Sequence, residues 1–454
     1  MIDTVALRKK ILKLAVTGNL SKQMDSDTPV SKELEVYVPA QLDIELEEIP
    51  DSWKYCKFDE VIINRDSERI PVSVADRKKL DKIYDYYGAS GVIDKVDKYL
   101  FDKDLLLIGE DGANLLSRST PIAFIARGKY WVNNHAHVLD ATEHILLEYA
   151  ALIINSMSLV PYVTGAAQPK LSQGMMNKIA LPVAPLEEQK RIVDTVKAAF
   201  DMLDQIDELQ QQYSSDLEIL KSKIIDAGIQ GKLTEQLPED GTAEELLEQI
   251  EIQKNTILKN RKGRVDKKIK AIDGDFPYEI PSHWKWIRFG NIGLFKKGPF
   301  GSALTKSMFV PKGENTVKVY EQQHAINKDN TLGTYYITRE YFDDSMSGFE
   351  VLPGDIIVSC AGTIGETYIM PDDIEQGIIN QALMRVTLAE GVNRKFFQYY
   401  FDANLKKSAQ NESNGSAIKN IPPFDVMKNW YFPIPPLEEQ ERIVEKIENI
   451  LTIL

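Results

Sequence analysis

The motif Pro-Leu-Glu-Glu-Gln occurs twice in this chain, at residues 185–189 and again at residues 436–440. The two copies lie 436 − 185 = 251 positions apart, and each continues into a similar amphipathic segment, KRIVDTV or ERIVEKI. The pattern therefore predicts a whole domain that occurs twice, with each copy followed by the same helix start.

Four further pairs of segments repeat in the same order, which supports a duplicated domain. They are IPDSWKYCKFDEVI (49–62) with IPSHWKWIRFGNIG (280–293), KDLLLIGEDGANL (103–115) with GDIIVSCAGTIGE (354–366), WVNNHAHVL (131–139) with IINQALMRV (378–386), and TGAAQPKLSQ (164–173) with NGSAIKNIPP (414–423). Strand-like runs are followed by a helix-like run in each copy, so both are predicted to be α+β domains. The predicted strands are 104–108, 121–126, 130–139, 355–359 and 378–386, and the predicted helices are 144–158 and 394–409.

The segment 186–227, between the two copies, carries a heptad pattern. Its apolar positions step by four and three residues, which is the spacing of a coiled-coil seam. A 3.5-residue period held over this length indicates a partner helix and not a single helix on a core. The seam positions are Ile192, Val196, Ala199, Leu203, Ile206, Gln210, Tyr213, Leu217, Leu220, Ile224 and Ala227.

The partner helix is present in the sequence in two pieces. Subtracting 213 maps residues 220–236 onto residues 7–23, and subtracting 251 maps residues 443–454 onto residues 192–203. Only the positions equivalent to 204–213 lack a counterpart. The chain is therefore interpreted as a cyclically permuted repeat that is opened inside one helix, and its two termini are expected to meet.

The net charge of −14 does not exclude a nucleic-acid ligand, because the charge is unevenly distributed. Residues 49–180 hold 16 basic and 17 acidic side chains, and residues 276–432 hold the same numbers. The excess acid lies in 24–48, with 1 basic and 8 acidic residues, and in 181–260, with 8 basic and 17 acidic residues. Two near-neutral domains can each present a basic face to DNA.

Other bulk features narrow the class of protein. The chain has only two cysteines, Cys56 and Cys360, which excludes a disulfide framework and a cysteine zinc cluster. No apolar run approaches the ~20 residues that span a bilayer. The first residues lack the apolar stretch and cleavage site of a secretory signal. We therefore expect a cytoplasmic protein with no membrane contact.

Several motifs resemble those of the specificity subunit of type I restriction–modification enzymes. They are the repeated PLEEQ-x-RIV, GAAQPKLSQ (165–173), QGKL (230–233) and DGTAEELLEQI (240–250), and the cyclic order of the repeats is itself a hallmark of that family. The resemblance covers essentially the whole chain. It implies two target-recognition domains, each of which reads one half of a bipartite site in double-stranded DNA.

The resemblance also implies partners. The conserved helices would set the gap between the half-sites and dock two modification (methyltransferase) subunits, which would carry S-adenosylmethionine and methylate an adenine in each half. A restriction subunit would join them, and no cofactor is expected in this chain. Two domains on an antiparallel coil have pseudo-two-fold symmetry, which matches the symmetry of duplex DNA. The two domains differ at nearly every loop position, so the predicted site is asymmetric.

On this interpretation the fold class is α+β, with two pseudo-repeated target-recognition domains separated by a long antiparallel helical coiled coil. The predicted segments are 1–23 (N-terminal half of the distal helix), 24–48 (acidic linker), 49–183 (first recognition domain), 184–236 (central helix region), 237–275 (linker helix and basic linker), 276–434 (second recognition domain) and 435–454 (C-terminal half of the distal helix).

Two alternatives compete with a specificity subunit. One is an enzyme, either a methyltransferase or a nuclease, but the nearest match to an [Asn/Asp]-Pro-Pro-[Tyr/Phe] loop is 421–424, IPPF, which lacks the polar first residue. No P-loop or cofactor-cradling glycine loop is apparent, and PDDIE (371–375) lacks the Glu-x-Lys of a nuclease. We therefore expect no catalytic residue. The second alternative is a coiled-coil scaffold that never meets DNA.

His135 and His137 lie two apart on a predicted strand, a spacing that could place both on one metal ion. Their counterparts in the second copy are Ala382 and Met384, so no metal role is shared and packed or DNA-facing histidines are favoured. The matched pair Asn133 and Asn380 is interpreted as a structural turn.

Candidate DNA contacts are cationic and amide or hydroxyl side chains beside glycine-rich turns, because these reach phosphates and base edges. In the first domain they are Arg77, Lys78, Lys79, Lys82, Ser90, Asn114 and Arg118; in the second they are Lys296, Lys297, Ser302, Thr305, Lys306, Lys318, Tyr320, Gln322, Gln323, His324 and Lys419. The basic run 259–270 is interpreted as a solvated linker that also approaches phosphates.

Overall fold

The computed structural model describes residues 1–39, 42, 44–165, 168–261, 269–412 and 421–454, with the backbone alone for 406–412. Within this part the chain forms two compact units, Met1–Tyr213 and Ser214–Leu454. Among the helices so described, none is both long and apolar enough to cross a membrane.

The first unit combines short helices and ten strands. Its helices before the central one are α1 (Thr4–Val16), α2 (Phe58–Val61), α3 (Val74–Arg77), α4 (Asn114–Ser117), α5 (Leu147–Ser156) and α6 (Gln173–Met176). Its strands are β1 (Lys54–Lys57), β2 (Ile62–Asn64), β3 (Tyr84–Gly88), β4 (Gly91–Val96), β5 (Phe101–Asp102), β6 (Leu105–Gly109), β7 (Ala123–Ala126), β8 (Lys129–Val132), β9 (Ala136–Ala141) and β10 (Ala180–Val183).

These strands form two four-stranded sheets, β2-β9-β6-β7 and β4-β3-β8-β5, and the pair β1-β10. All pairings are antiparallel except β3 with β8. Successive residues of β6 face opposite sides, as a pleated strand requires. Leu106 and Ile108 pack in the core that contains α5, whereas Leu105 and Leu107 pack with Tyr130 of the other sheet. Because β6 is buried on both faces, its sequence is an unbroken apolar run.

The second unit repeats this plan. The central helix is α7 (Leu186–Ile229), and the helices after it are α8 (Ala243–Asn260), α9 (Gln322–Asn327), α10 (Arg339–Tyr341), α11 (Arg394–Glu412), α12 (Phe424–Met427) and α13 (Leu437–Ile453). The strands are β11 (Lys285–Arg288), β12 (Gly293–Lys297), β13 (Thr316–Tyr320), β14 (Tyr336–Thr338), β15 (Glu350–Val351), β16 (Ile356–Ser359), β17 (Thr367–Ile369), β18 (Gly377–Ile379), β19 (Leu383–Leu388) and β20 (Tyr431–Ile434).

The sheets of this unit are β12-β19-β16-β17, β14-β13-β18-β15 and the pair β11-β20. Strand for strand they match the orders found in the first unit, including one parallel pair, β13 with β18. Ile356 and Val358 of β16 pack in the core beneath α11, and Ile357 faces the other sheet with Tyr320. The predicted α+β class and the duplicated domain are confirmed.

Two predicted strands are each divided in the structure, and the division occurs at equivalent places. The run 130–139 becomes β8 and β9, and the run 378–386 becomes β18 and β19. Asn133 Oδ1 accepts the N–H of His135 at 2.8 Å, and Asn380 Oδ1 accepts the N–H of Ala382 at 3.0 Å. These side chains stabilise a tight turn by replacing ladder hydrogen bonds, which confirms the structural interpretation of the two asparagines.

The central helix α7 is 44 residues long, close to the predicted 186–227. Its seam is buried at the N-terminal end, at Ile192, Val196 and Leu203. In the middle the seam is open to solvent, since Tyr213 is 61% and Leu220 is 43% exposed. The heptad pattern of α7 therefore includes residues in the middle of the helix whose side chains remain exposed.

In the first unit α1 packs antiparallel to the beginning of α7. Ile2 exchanges hydrogen bonds with Gln210, Thr4 bonds Asp207 at 2.6 Å, and Ser21 bonds Glu188 at 2.8 Å. The partner numbers fall as the chain number rises, which defines the antiparallel direction. Between these polar contacts Ala15 packs in the core with Ile192.

In the second unit α13 packs antiparallel to the end of α7 in the equivalent way. Gly228 stands where the first unit has Ala15, and an added Cβ there would lie 2.7 Å from Ile447 and 3.2 Å from Ile443. Further along, Gln236 bonds Glu439 at 3.1 Å. Both antiparallel helix pairs expected from the permuted repeat are therefore present.

Candidate nucleic-acid interface

The repeated PLEEQ motif forms a joint between each domain and its helix. In the first unit Glu188 is fully buried, and its carboxylate accepts hydrogen bonds from Trp53 Nε1 at 2.8 Å, Gln23 Nε2 at 2.6 Å and Ser21 Oγ at 2.8 Å. Three donors from two places in the chain, residues 21–23 and Trp53, thus compensate one buried charge, as burial of a carboxylate requires.

The second joint reproduces the first. Glu439 is fully buried and accepts from Trp284 Nε1 at 2.7 Å, Gln236 Nε2 at 3.1 Å and Thr234 Oγ1 at 3.4 Å. His283 Nε2 adds a fourth partner at 3.2 Å. The offsets of 251 and 213 that relate the repeats therefore relate individual hydrogen bonds as well.

The residue after each buried glutamate fixes the start of the helix. Gln189 donates to the carbonyl oxygens of His144 and Ala184 and accepts from the N–H of Leu146. Gln440 makes the same three bonds, to Gly391 O, Pro435 O and Asn393 N. These amides satisfy backbone groups that a helix terminus and its neighbouring loop would otherwise leave unpaired.

An arginine completes each joint by binding the linker that precedes the domain. Arg191 forms a two-pronged ion pair with Asp27, at 2.8 and 2.6 Å, and Arg442 does so with Asp240, at 2.6 Å on both prongs. The hydrogen bond from Arg191 lowers the pKa of Asp27, and that from Arg442 lowers the pKa of Asp240. Both carboxylates therefore stay ionised in mildly acidic solution.

The basic cluster beside α3 divides into locked and free side chains. Arg77 donates to Asp94 at 2.9 Å and lies over the ring of Tyr86, and Lys82 donates to the same carboxylate at 2.8 Å. Lys82, the N–H of Lys95 and Arg77 hold the pKa of Asp94 well below its usual range. Arg77 and Lys82 thus brace the strand β4.

Two lysines of this cluster remain available for a ligand. Lys78 is exposed at the end of α3, and Lys79 is exposed with one ion pair of 3.5 Å to Asp76. Ser90 is exposed in the turn between β3 and β4. These side chains are placed where phosphates or base edges could reach them.

Asn114 and Arg118 serve the loop that carries them. Asn114 Oδ1 accepts from Ser119 and Thr120, and Arg118 Nη2 donates to the carbonyl oxygens of Ile154 and Met157 at 2.8 and 2.6 Å. Arg118 adopts a left-handed backbone with φ of 51°. Because its guanidinium bonds these two carbonyl oxygens, it caps the end of α5. Burial lowers the pKa of Arg118.

In the second unit, too, some of the predicted DNA contacts are exposed and others are bonded within the protein. Lys296 and Lys297 end the strand β12, and a glycine-containing loop with exposed Ser302 and Lys306 follows. Thr305 Oγ1 lies 2.9 Å from the hydroxyl of Ser307. Five predicted residues are therefore gathered on one exposed loop and its preceding strand end.

Three predicted contacts in this unit are buried. Lys318 is 1% exposed and donates to Asn330 O at 2.7 Å, while Tyr320 and His324 are fully buried. Tyr320 donates to Glu375 O at 2.7 Å, and both ring nitrogens of His324 are engaged by backbone groups. Burial lowers the pKa of Lys318, which Glu375 opposes. As a correction, these three residues support the sheet and do not reach a ligand in this conformation.

Of the remaining predicted contacts, two are bonded within the unit and one lies outside the described residues. Gln322 donates to the carbonyl oxygens of Ala361 and Thr363, and exposed Gln323 bonds Glu321 at 3.0 Å. Lys419 lies outside the described residues, as does the part 262–268 of the basic linker.

A buried polar network in the first unit involves His137. Asp66, Glu110 and His137 lie close enough to suggest a metal site. However, Arg69 donates to Glu110 at 2.7 Å, Lys170 Nζ lies 3.1 Å from it, and both ring nitrogens of His137 are engaged, by Asp66 and by Leu171 O. Cationic partners already compensate the carboxylates, so the cluster holds β9 against the loop that follows β6.

The features tied to an enzyme are not assembled in the described residues. Ile421 begins the candidate IPPF loop, and Pro423 caps α12 instead of gripping a base. Both cysteines are buried, and burial raises the pKa of Cys56 to about 11 and that of Cys360 to about 12, which suppresses the thiolate.

Comparison with known proteins identifies the family. The model of the type I restriction modification DNA specificity domain matches residues 50–213 and 300–454. A Haemophilus influenzae protein named as putative type I restriction enzyme specificity subunit S.HindORF215P is 26% identical over 81% of this chain and 80% of its own length. The type I restriction enzyme EcoEI specificity subunit of Escherichia coli is 20% identical over 98% of this chain and 89% of its own length.

A solved structure described as the basis of complex assembly and conformational transition of the type I restriction–modification system has a similar fold. Its TM-score is 0.57 at 15% identity, covering 90% of this chain and 92% of that one. The family model spans well over half of the sequence, and both relatives are named as specificity subunits. The protein therefore belongs to the type I restriction–modification DNA specificity family.

Proposed function

We propose that this chain reads a bipartite, asymmetric site in double-stranded DNA for a type I restriction–modification enzyme. The duplicated joint carries the proposal: the same buried glutamate, glutamine and arginine attach the first α+β domain to α7 and the second to α13, which packs against the end of α7. A chain that anchors two different domains by identical joints would have two non-identical readers, with α7 as the spacer between them.

The helix α7 supplies that spacer. At ~1.5 Å per residue a helix of 44 residues is ~66 Å long, which compares with ~3.4 Å per base pair of duplex DNA. The proposed half-sites would therefore be separated by a fixed number of base pairs. The exposed seam of α7 around Tyr213 and Leu220 suits docking of further helices, and we assign it to two modification subunits.

The set of proposed DNA contacts is revised according to the burial and the hydrogen bonds of each predicted side chain. The lysines and hydroxyls that remain accessible are the proposed set: Lys78, Lys79, Ser90, Lys296, Lys297, Ser302, Thr305 and Lys306. Their cations would engage phosphates, and neighbouring hydroxyl groups would reach base edges. S-adenosylmethionine and the methyl-transfer chemistry are assigned to the modification subunits, and cleavage to a restriction subunit.

Replacing Lys78 and Lys79 together with alanine should weaken DNA binding without unfolding the first unit. Each lost phosphate contact reduces the slope of log affinity against log salt by about one unit, so the double variant should lose about two. The measurement is DNA binding by the complex with its modification subunit at several salt concentrations.

Arg77→Ala is the matched control for this pair. It removes one positive charge of the same cluster together with the contacts of Arg77 with Asp94 and Tyr86, so it should lower thermal stability. An unchanged salt slope in the double lysine variant would contradict the proposed contact surface. Failure of the complex to protect any DNA would favour the scaffold alternative.

A further inference from the structure

A cleft in the second unit has an unusual charge balance. It has a volume of about 650 Å³ and lies where the end of α8 meets β12, β15 and β19. Three cationic side chains line it, Arg261, Lys296 and Arg385, beside one carboxylate, Glu350. Its volume is in the range of pockets that hold small ligands, ~300–1,000 Å³.

Arg385 is the most unusual of these side chains. It is 2% exposed, and its guanidinium donates one hydrogen bond among the described residues, to the carbonyl oxygen of Glu350. Its buried Nε has no partner among them. Arg191 also leaves Nε without a partner, but it forms an ion pair with Asp27, and Arg65 Nε lies 3.1 Å from Asp140. A buried guanidinium that has no ion pair among the described residues is costly.

The carboxylates nearby are already occupied by other donors. Asp355 accepts from Arg261 at 2.9 Å, Thr387 Oγ1 at 2.6 Å and the N–H of Leu352 at 2.8 Å. Glu350 accepts from Gln376 at 2.7 Å. Even if Asp355 and Glu350 each contribute one full negative charge, the three cationic side chains leave one excess positive charge in the cleft.

Lys296 completes the cleft from its exposed side. Its ammonium lies 4.6 Å from the ring centroid of Phe349, and the described residues offer it no ion pair. An ammonium held over an aromatic ring is positioned yet still free to donate hydrogen bonds. Burial lowers the pKa of Arg385 to about 10 and Arg261 lowers it further, whereas Asp355 and Glu350 raise it. An anion in the cleft would offset both the burial and the repulsion from Arg261.

We propose that this cleft binds a phosphate group. Two guanidinium groups and one ammonium around a concave surface match the several acceptor oxygens and the negative charge of a phosphate. The phosphate could belong to the DNA backbone or to a free phosphate compound, and both present the same chemistry. Only the DNA case rests on the proposed function.

The test uses the full chain and inorganic phosphate, compared with chloride at equal ionic strength. Phosphate should raise the melting temperature in a saturable manner, and titration calorimetry should give a binding constant. Lys296→Ala should weaken phosphate binding about tenfold, as the loss of a charged hydrogen bond would. Lys296 is exposed, so this variant should fold; Arg385→Gln is a second variant for use if it remains folded.

Lys312→Ala is the matched control, because Lys312 is an exposed lysine of the same unit that pairs with Glu375 outside the cleft. It should bind phosphate as the unchanged protein does. No stabilisation by phosphate beyond that by chloride, or equal losses in Lys296→Ala and Lys312→Ala, would overturn the proposal.

DNA binding by the assembled complex then identifies the source. If the cleft holds a backbone phosphate, inorganic phosphate should compete with DNA, and Lys296→Ala should reduce the salt slope by about one unit. If it holds a free phosphate compound, inorganic phosphate should bind to the complex with no competition from DNA. Retained phosphate binding in a complex that never binds DNA would reject the proposed function and leave the phosphate site standing.

Discussion

Glu439→Ala should lower the free energy of unfolding of the C-terminal unit by about 3–5 kcal/mol, because several donors lose their shared acceptor and each buried one costs ~1–3 kcal/mol. The carboxylate is fully buried and serves Trp284, Gln236, Thr234 and His283. Alanine would leave these groups without their acceptor and open a cavity. Thermal and denaturant unfolding followed by circular dichroism would measure the loss.

The neighbouring glutamate of the same motif provides the control. Glu438 is exposed, so Glu438→Ala should change stability by less than about 0.5 kcal/mol. Glu188→Ala should resemble Glu439→Ala, since Glu188 occupies the equivalent joint. Equal stability of Glu438→Ala and Glu439→Ala would refute the joint as the reason for the repeated motif.

Inserting one heptad into α7 should move the two half-sites apart without changing the bases read in either. Seven residues preserve the seam and add ~10 Å at ~1.5 Å per residue, or up to about three base pairs at ~3.4 Å each. The insertion belongs between Tyr213 and Ser214, because α1 contacts extend to Gln210 and α13 packs near Gly228. Mapping of methylated sites in cells that also express the modification subunit would measure the gap.

A control variant of unchanged length separates the effect of the new residues from the effect of a longer helix. In it the same seven residues replace 211–217, and the gap should remain that of the unaltered protein. The inserted turns also rotate one domain about the helix, so DNA twist limits how large a change is tolerated. Altered half-site bases, or an active complex with an unchanged gap after insertion, would show that α7 is not the ruler.

The sequence predicted the architecture well, because a repeat leaves its mark in residue identity. The offsets of 251 and 213 located both copies of the PLEEQ motif and both helix pairs, and α7 ends within two residues of its predicted limit. Local turns were harder to predict. The match of Asn133 with Asn380 favoured a structural turn, but the apolar runs around them predicted one continuous strand each, which the structure divides where the asparagine accepts an N–H two residues later.

The candidate interface was less predictable than the fold for a physical reason. A basic residue in the sequence does not reveal whether a carboxylate or carbonyl from elsewhere will pair with it. Arg77 and Lys82 share Asp94, and Arg118 caps α5. The buried partners of the joint were missed as well: the motif was recognised, but Trp53 and Trp284 were matched by sequence without a sign that both bind its second glutamate.

The most direct test of the central claim is a map of methylated adenines in cells that express this chain with and without its modification subunit. With the subunit, we predict methylation at one bipartite motif that has two different halves and a constant gap, and without it no methylation. Methylation by this chain alone, or a palindromic motif with identical halves, would contradict a non-catalytic reader with two distinct recognition domains.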